Sequence, residues 1–333
     1  MRNHLMYMTA ALLCGCGNAA TDVDELTDVA DTVRVALGDL GANTYKGFSG
    51  GLYLNGSNDV PPAHAAEGRR RAALIVPRDA SGNPSPSGRI VMLSIGMSNG
   101  TQEFCNSGGY TVCQAWSFMG RAQADASVNH ASLRILNGAR GGQVAEVWAT
   151  PQSIEYDRIR NEGLAPLGLT ERQVQVVWTK LANRQPSVAL PDPNADAYQL
   201  KALIADVAAA LRQRYPNLQM IFFSSRIYAG FATTTLNPEP YAYETGFAHK
   251  WAIEDQIRSG DYSGAWLAWG PYLWAADQSR PRSDGLFYAP ADFQSDGTHP
   301  STAGETKVAN QMLGFFKTSE FTACWFLANR VCS

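Results

Sequence analysis

From residue 89 onward, short apolar runs alternate with longer stretches in which apolar residues recur every three or four positions. The runs are RIVMLSIG at 89–96, SLRILNG at 132–138, RQVQVVW at 172–178, LQMIFFSS at 218–225 and, less regularly, WLAWGPYLW at 266–274. Each has the length and apolarity of a strand buried on both faces. The clearest helix is expected over 195–214. There Leu200, Leu203, Ile204, Val207 and Leu211 share one face, and Tyr215-Pro216-Asn217 ends the pattern. A last helix should follow Pro300 and carry Val308, Met312, Leu313, Phe315 and Phe316. Buried strands alternating with helices predict an α/β fold, a three-layer α/β/α sandwich around a central parallel sheet. Sites in such sheets form at the carboxyl ends of the strands.

Upstream the pattern differs. Met1-Arg2-Asn3-His4 is short and basic, Leu5 to Leu13 is mostly apolar, and LCGC follows at 13–16. This is the layout of a secretory signal, too short to span a bilayer as a helix. It also resembles a bacterial lipoprotein signal, which implies cleavage after Gly15 and a lipid anchor on Cys16. Cys14 departs from that pattern, where a small Ala or Ser is usual, and a plain cleaved signal is the alternative. Residues 17–50 are polar and acidic and read as a tether. Residues 51–88, with GSNDVPP and DASGNPSPSG, read as an irregular extension. Residues 51–333 are then one domain. The protein is expected to be exported, and to meet the bacterial membrane only through the anchor.

Four further cysteines form two pairs of equal, short separation, Cys105 with Cys113 and Cys324 with Cys332. Four cysteines allow three connectivities. Short loops close easily, so these two pairings are favoured, and an exported chain would keep them oxidised. No cysteine or histidine cluster has zinc-site spacing, and no metal or organic cofactor is expected. A net charge of −3 over 333 residues argues against a nucleic-acid partner. The triplet Arg69-Arg70-Arg71 reads as a solvated loop.

Candidate chemistry lies at two places. Ser98, in SIGMSNG, follows the first strand and so reaches the carboxyl edge of the sheet. A serine there can be a helix N-cap, or a nucleophile beside free backbone N–H groups that stabilise an oxyanion. A serine hydroxyl needs a base, and a histidine base needs a carboxylate to fix its tautomer. Asp296 and His299, in DGTHP, supply both within one loop. His4, His64, His130 and His249 lack such a setting and read as signal, surface or packing residues.

With these residues in their order, the chain resembles an SGNH hydrolase of the GDSL esterase and lipase superfamily over about residues 89–317. Family members carry a serine after the first strand, an oxyanion glycine after the second, an asparagine after the third and a D-x-x-H near the C-terminus. Here these are Ser98 in GMSN, Gly141 and Gly142 in GARGGQVAEVW, Asn183 in VVWTKLAN, and Asp296 and His299 in DGTHP. The GG followed by Trp148 is similar to the sialate O-acetylesterase and carbohydrate acetylesterase branch. The resemblance implies a flavodoxin-like SGNH fold. It implies that Ser98 attacks an ester carbonyl, His299 moves the proton and Asp296 orients His299. It also implies that the N–H groups of Ser98 and Gly141, or Gly142, bind the oxyanion with the Asn183 amide. Two departures stand out. Met97 replaces the acidic residue that often precedes the family serine, and Lys180-Leu181-Ala182 replaces a glycine-rich context before Asn183. Lys180 either lies near the oxyanion or, as we favour, points into solvent.

GMSNG also fits the G-x-S-x-G elbow of α/β-hydrolases. The compact D-x-x-H and the absence of earlier strands and of an HGGG-type loop favour the SGNH arrangement. The expected reaction is hydrolysis of small acyl esters, O-acetyl groups on a glycan foremost. A glycan-binding surface lipoprotein without turnover, and a lipase or thioesterase, are the other classes. Aromatic residues between the fourth strand and the D-x-x-H, Trp274 among them, suit sugar stacking or core packing equally. Arg226, after the fourth strand, either holds an anionic or hydroxyl-rich substrate or makes a structural salt bridge.

Overall fold

The computed structural model describes residue 1 and residues 28–29, 34–107 and 109–332. Cys14, Cys16 and the apolar start lie outside the described residues.

Five parallel strands form the central sheet: β1 (Ile90–Gly96), β2 (Leu133–Asn137), β3 (Val174–Lys180), β4 (Met220–Phe223) and β5 (Trp266–Trp269). They are ordered β2-β1-β3-β4-β5. The chain therefore steps from β1 outward to β2, then crosses back over β1 to β3. At such a reversal the loops leave in opposite directions and open a crevice above the carboxyl ends of β1 and β3. Five helices carry most of the flanking layers: α1 (Pro62–Ala73), α2 (Ser98–Phe104), α3 (Asp196–Arg214), α4 (Tyr241–Ser259) and α5 (Thr302–Thr318).

Side chains alternate across each strand, and the core divides accordingly. Val91, Leu93 and Ile95 of β1 join Val177, Ile221 and Trp269 beneath α3 and α4, meeting Leu200, Ile204, Val207 and Phe247. Ile90 and Met92 join Val176, Trp178 and Phe222 on the opposite face, meeting Phe104 of α2 and Val308, Met312 and Phe316 of α5. Each such side chain, fully buried, contributes roughly 1.5–3 kcal/mol. α3 keeps the expected face, with Leu200, Ile204, Val207 and Leu211 buried. α5 starts two residues beyond Pro300, after Ser301 as N-cap.

Two N-terminal expectations need correction. Residues 34–50 are not a tether. Leu37, Leu40 and Tyr45 are buried in the core, and the Tyr45 ring meets the Tyr243 ring of α4 edge-on at 4.9 Å. The Tyr243 hydroxyl donates to the Val35 carbonyl at 2.7 Å. Ala36 is buried as well, and Phe48 packs against Phe247 and Trp251 of α4. Residues 51–88 are not wholly irregular either, since they contain α1. That helix opens on Pro62, where the missing N–H costs little, and buries small residues, Ala65, Gly68 and Ala72. A Cβ on Gly68 would stand 2.5 Å from the Trp266 ring. A face of alanine and glycine packed against tryptophan gives no stripe of large apolar residues, which is why the pattern hides it. Arg69 and Arg70 are exposed on this helix and pair with Glu320 and Glu67, while Arg71 is buried.

Both expected disulfides form, Cys105–Cys113 and Cys324–Cys332. The first closes the loop directly after α2. Among the described residues no helix is long and apolar enough to cross a membrane.

Candidate active site

β1 ends on Gly96, opposite Lys180 of β3. Its φ of +136° lies where only glycine sits without strain, and a Cβ there would stand 3.1 Å from the Lys180 carbonyl oxygen. Met97 is extended, and α2 begins at Ser98. The turn therefore lifts Ser98 off the sheet edge with its own N–H among those that no helical carbonyl can reach.

The Ser98 Oγ lies 2.9 Å from His299 Nε2. His299 Nδ1 lies 2.5 Å from Asp296 Oδ2. The other carboxylate oxygen, Oδ1, accepts the backbone N–H groups of Thr298 and His299, each at 2.9 Å. Since Asp296 accepts from Nδ1–H, the free lone pair of the ring is on Nε2 and faces the serine hydroxyl. Burial raises the Asp296 carboxyl, but the hydrogen bonds from the His299 ring and from these two N–H groups outweigh it and hold the group below the usual aspartate value. Asp296 is thus kept ionised.

The loop is pinned to both its neighbours. Gly297 has φ +61°, and a Cβ would fall 1.9 Å from the Phe231 carbonyl oxygen. Thr233 N–H donates to the Asp296 carbonyl at 3.0 Å, and the Thr234 and Thr298 hydroxyls meet at 2.8 Å. Asn99, next to the serine, donates from Nδ2 to the Thr298 carbonyl at 3.0 Å. It is buried and ties the serine helix to the histidine loop. Sequence reasoning passed over Asn99; its place directly after Ser98 was the available signal.

The loop after β2 closes over the same edge. Gly138 N–H donates to Ser94 and Arg140 N–H to Gly96. Gly141 then lies against the serine, its ideal Cβ position 4.0 Å from Ser98 Cβ. Its N–H has no hydrogen-bond partner among the described residues. Gly142, with φ +79°, lines the cavity beside Ser98. Both glycines thus stand beside Ser98.

Asn183 is engaged elsewhere. Its Nδ2 donates to the Asp196 carbonyl at 2.8 Å, at the start of α3, and its backbone carbonyl accepts from Asn237 Nδ2. Leu181 and Ala182 are buried, and Ala182 accepts the Ala145 N–H. The second donor of the Asn183 amide is directed at the same helix, with Asp196 Oδ1 and Gln199 Oε1 each 3.4 Å from Nδ2, so the amide is turned to α3 and not to an oxyanion. Lys180 also departs from expectation. It is buried rather than solvent-facing and pairs with both oxygens of Glu103, on the helix that carries Ser98. Burial pulls the Lys180 ammonium down to about 8 against the opposing pull of Glu103, and raises the Glu103 carboxyl.

A cavity of about 240 Å³ opens beside Ser98 and His299. Met97, Val144 and Leu236 supply its apolar wall, and Arg184, Gln185, Arg226 and Thr298 its polar one. Arg226 thus lines the same cavity as Ser98. Trp274 does not belong here. It is buried in the core, packed edge-on against Tyr243 at 4.7 Å, and its Nε1 donates to Glu239. The aromatic residues of this region serve mainly as core. His64 and His249 are likewise buried, and burial pushes each ring down to about 4.

No protein-family model and no curated protein matches the chain. Among solved structures it is similar to TesA, at 13% identity and a TM-score of 0.41, over 68% of this chain and 98% of that one. It is similar to an acetyl-xylooligosaccharide esterase from Geobacillus at 13% identity and a TM-score of 0.41, over 70% and 96% of the two chains. A family two carbohydrate esterase from Clostridium thermocellum is similar at 18% identity and a TM-score of 0.39, over 70% of this chain and 65% of that chain.

Proposed function

We propose that the protein is a serine esterase of the SGNH type that removes small acyl groups, O-acetyl groups on a glycan foremost. One observation carries the reading. Ser98, His299 and Asp296 form an unbroken hydrogen-bonded chain on the carboxyl edge of the sheet, beside the unpartnered N–H of Gly141. In this mechanism Ser98 Oγ attacks the ester carbonyl while His299 Nε2 takes its proton. The negative charge that develops on the carbonyl oxygen is met by the N–H groups of Ser98 and Gly141, with Gly142 at the rim. His299 returns the proton to the leaving alcohol, and water repeats the sequence on the acyl-enzyme. Asp296 holds the ring in the required tautomer throughout. With the Asn183 amide committed elsewhere, the oxyanion site rests on backbone donors.

The cavity supports a small acyl group. At about 240 Å³ it is below the range typical of drug-sized sites, and a long acyl chain would need a longer groove. The two disulfides fit a protein that folds outside the reducing cytosol. We take Cys16 as its lipid anchor. The test is hydrolysis of p-nitrophenyl acetate by wild type and Ser98→Ala. The reading expects turnover by wild type and a loss of roughly 10⁴- to 10⁶-fold in the variant. Equal rates in both would reject it.

A further inference from the structure

We propose that the cavity beside Ser98 takes an ester that also bears a carboxylate, held by the guanidinium of Arg226. The proposal rests on the esterase reading and adds a substrate class to it.

Arg226 follows β4 and lines the cavity that contains Ser98 and His299. It is 2% exposed, and its Nε has no hydrogen-bond partner among the described residues. Its backbone N–H is fixed by the Thr245 hydroxyl at 3.2 Å, so the side chain is set in place rather than trailing from a loop. A buried guanidinium without hydrogen-bonded acceptors is costly. Such a group invites an acceptor from outside.

The neighbouring carboxylates do not fill that role. Glu103 and Glu239 both act on Arg226 through their charge. Yet both oxygens of Glu103 are taken by Lys180. Glu239 Oε1 accepts from Trp274 Nε1 at 2.7 Å and from Ala229 N–H at 3.1 Å, and its Oε2 accepts from Tyr243 N–H at 3.1 Å. The other charged residue lining the cavity is a second arginine, Arg184, which donates to the Gly142 carbonyl at 3.2 Å. No aspartate or glutamate lines the cavity among the described residues. A pocket with two arginines, one of them buried with its Nε unpaired by any hydrogen bond among the described residues, selects an anion. A carboxylate fits the planar donor fork and leaves room in a small cavity for the acyl group.

The experiment compares charged and neutral forms of one ester. O-acetylmandelate against O-acetylmandelamide places the carboxylate on the alcohol half. p-Nitrophenyl hemisuccinate against p-nitrophenyl succinamate places it on the acyl half. In at least one pair, wild type should favour the carboxylate by roughly 10- to 100-fold in kcat/KM, the effect of one charge-assisted hydrogen bond. Arg226→Met should bring that ratio to about one, and Arg226→Lys should leave it between the two. Ratios near one in both pairs for wild type would overturn the proposal. So would an Arg226→Met variant that slows both members of a pair equally, because Arg226 would then act on the ester itself. Calorimetric binding of mandelate and succinamate to Ser98→Ala reads the anion site without turnover. Binding that Arg226→Lys weakens supports the proposal even if p-nitrophenyl acetate is not hydrolysed and the esterase reading falls. Absence of binding, with acetate turnover intact in wild type, overturns the proposal alone.

Discussion

Asp296→Asn is the most informative single substitution, because the geometry dictates which tautomer His299 must adopt. In the native loop Asp296 Oδ1 accepts two backbone N–H groups, and Oδ2 accepts from His299 Nδ1. An asparagine must place its NH₂ at one of these positions. At the Oδ1 position it would confront two donors with no acceptor between them. The amide nitrogen therefore takes the Oδ2 position and donates to Nδ1. The ring proton then moves to Nε2, which faces Ser98 Oγ at 2.9 Å. His299 becomes a donor toward the serine and cannot accept its proton. The loss of a correctly placed base should cost about 10⁴-fold in kcat, equivalent to about 5.5 kcal/mol of transition-state stabilisation. The two backbone hydrogen bonds survive, so folding should be unchanged. Steady-state hydrolysis of p-nitrophenyl acetate, beside thermal unfolding of both proteins, measures the two quantities. A loss of less than tenfold at unchanged stability would refute the tautomer argument.

Two further outcomes follow from buried charges. Lys180→Met leaves Glu103 in the interior without its bonded partner, and should cost about 3–5 kcal/mol in urea unfolding; a cost below about 1 kcal/mol would mean that Arg226 replaces Lys180 as counter-ion. Burial, with the nearby Glu103 charge, pushes Glu305 up to about 7, although Trp116 and Asn106 donate to it. A carboxyl raised in the folded state contributes stability that is full below its unfolded value, near 4.5, and is lost as pH rises through 7. Buried Glu244, also raised to about 7, acts in the same direction, whereas buried His64 and His249, lowered to about 4, gain stability as pH rises toward 6.5. The difference between Glu305→Gln and wild type isolates one group. It should shift in favour of the variant between pH 5 and 8, by up to about 3 kcal/mol, and a difference independent of pH would show that Glu305 does not titrate there.

The parallel sheet was legible because its five strands are apolar on both faces, so each reads as an unbroken run. α3 was legible because large apolar residues mark its buried face. α1 was not, since it packs through Ala65, Gly68 and Ala72 against a tryptophan that supplies the bulk. The segment 34–50 was misread because its few apolar residues are too scattered to give a sustained period, yet they join the core cluster that includes Tyr243 and Phe247 of α4. The serine and the D-x-x-H were legible because local chemistry fixes them. A carboxylate three residues before a histidine reaches the ring within one turn. Asn183 and Trp274 failed for the opposite reason. Where those side chains point depends on what packs around them, and the hydrogen bonds to Asp196 and Glu239 join residues 13 and 35 positions apart. Lys180 shows the same limit. A lysine at the end of a strand reads as solvent-facing until its partner is known to stand on the neighbouring helix.

The central claim is that Ser98 is a nucleophile activated by His299. An alkyl fluorophosphonate reacts with a serine only when a base has activated it and an oxyanion site receives the phosphoryl oxygen. Incubation of the native protein with such a probe, followed by peptide mass mapping, tests the claim directly. The account predicts one adduct, on Ser98, abolished in His299→Ala. No adduct on folded wild-type protein, or labelling of Ser98 that persists without His299, would contradict it.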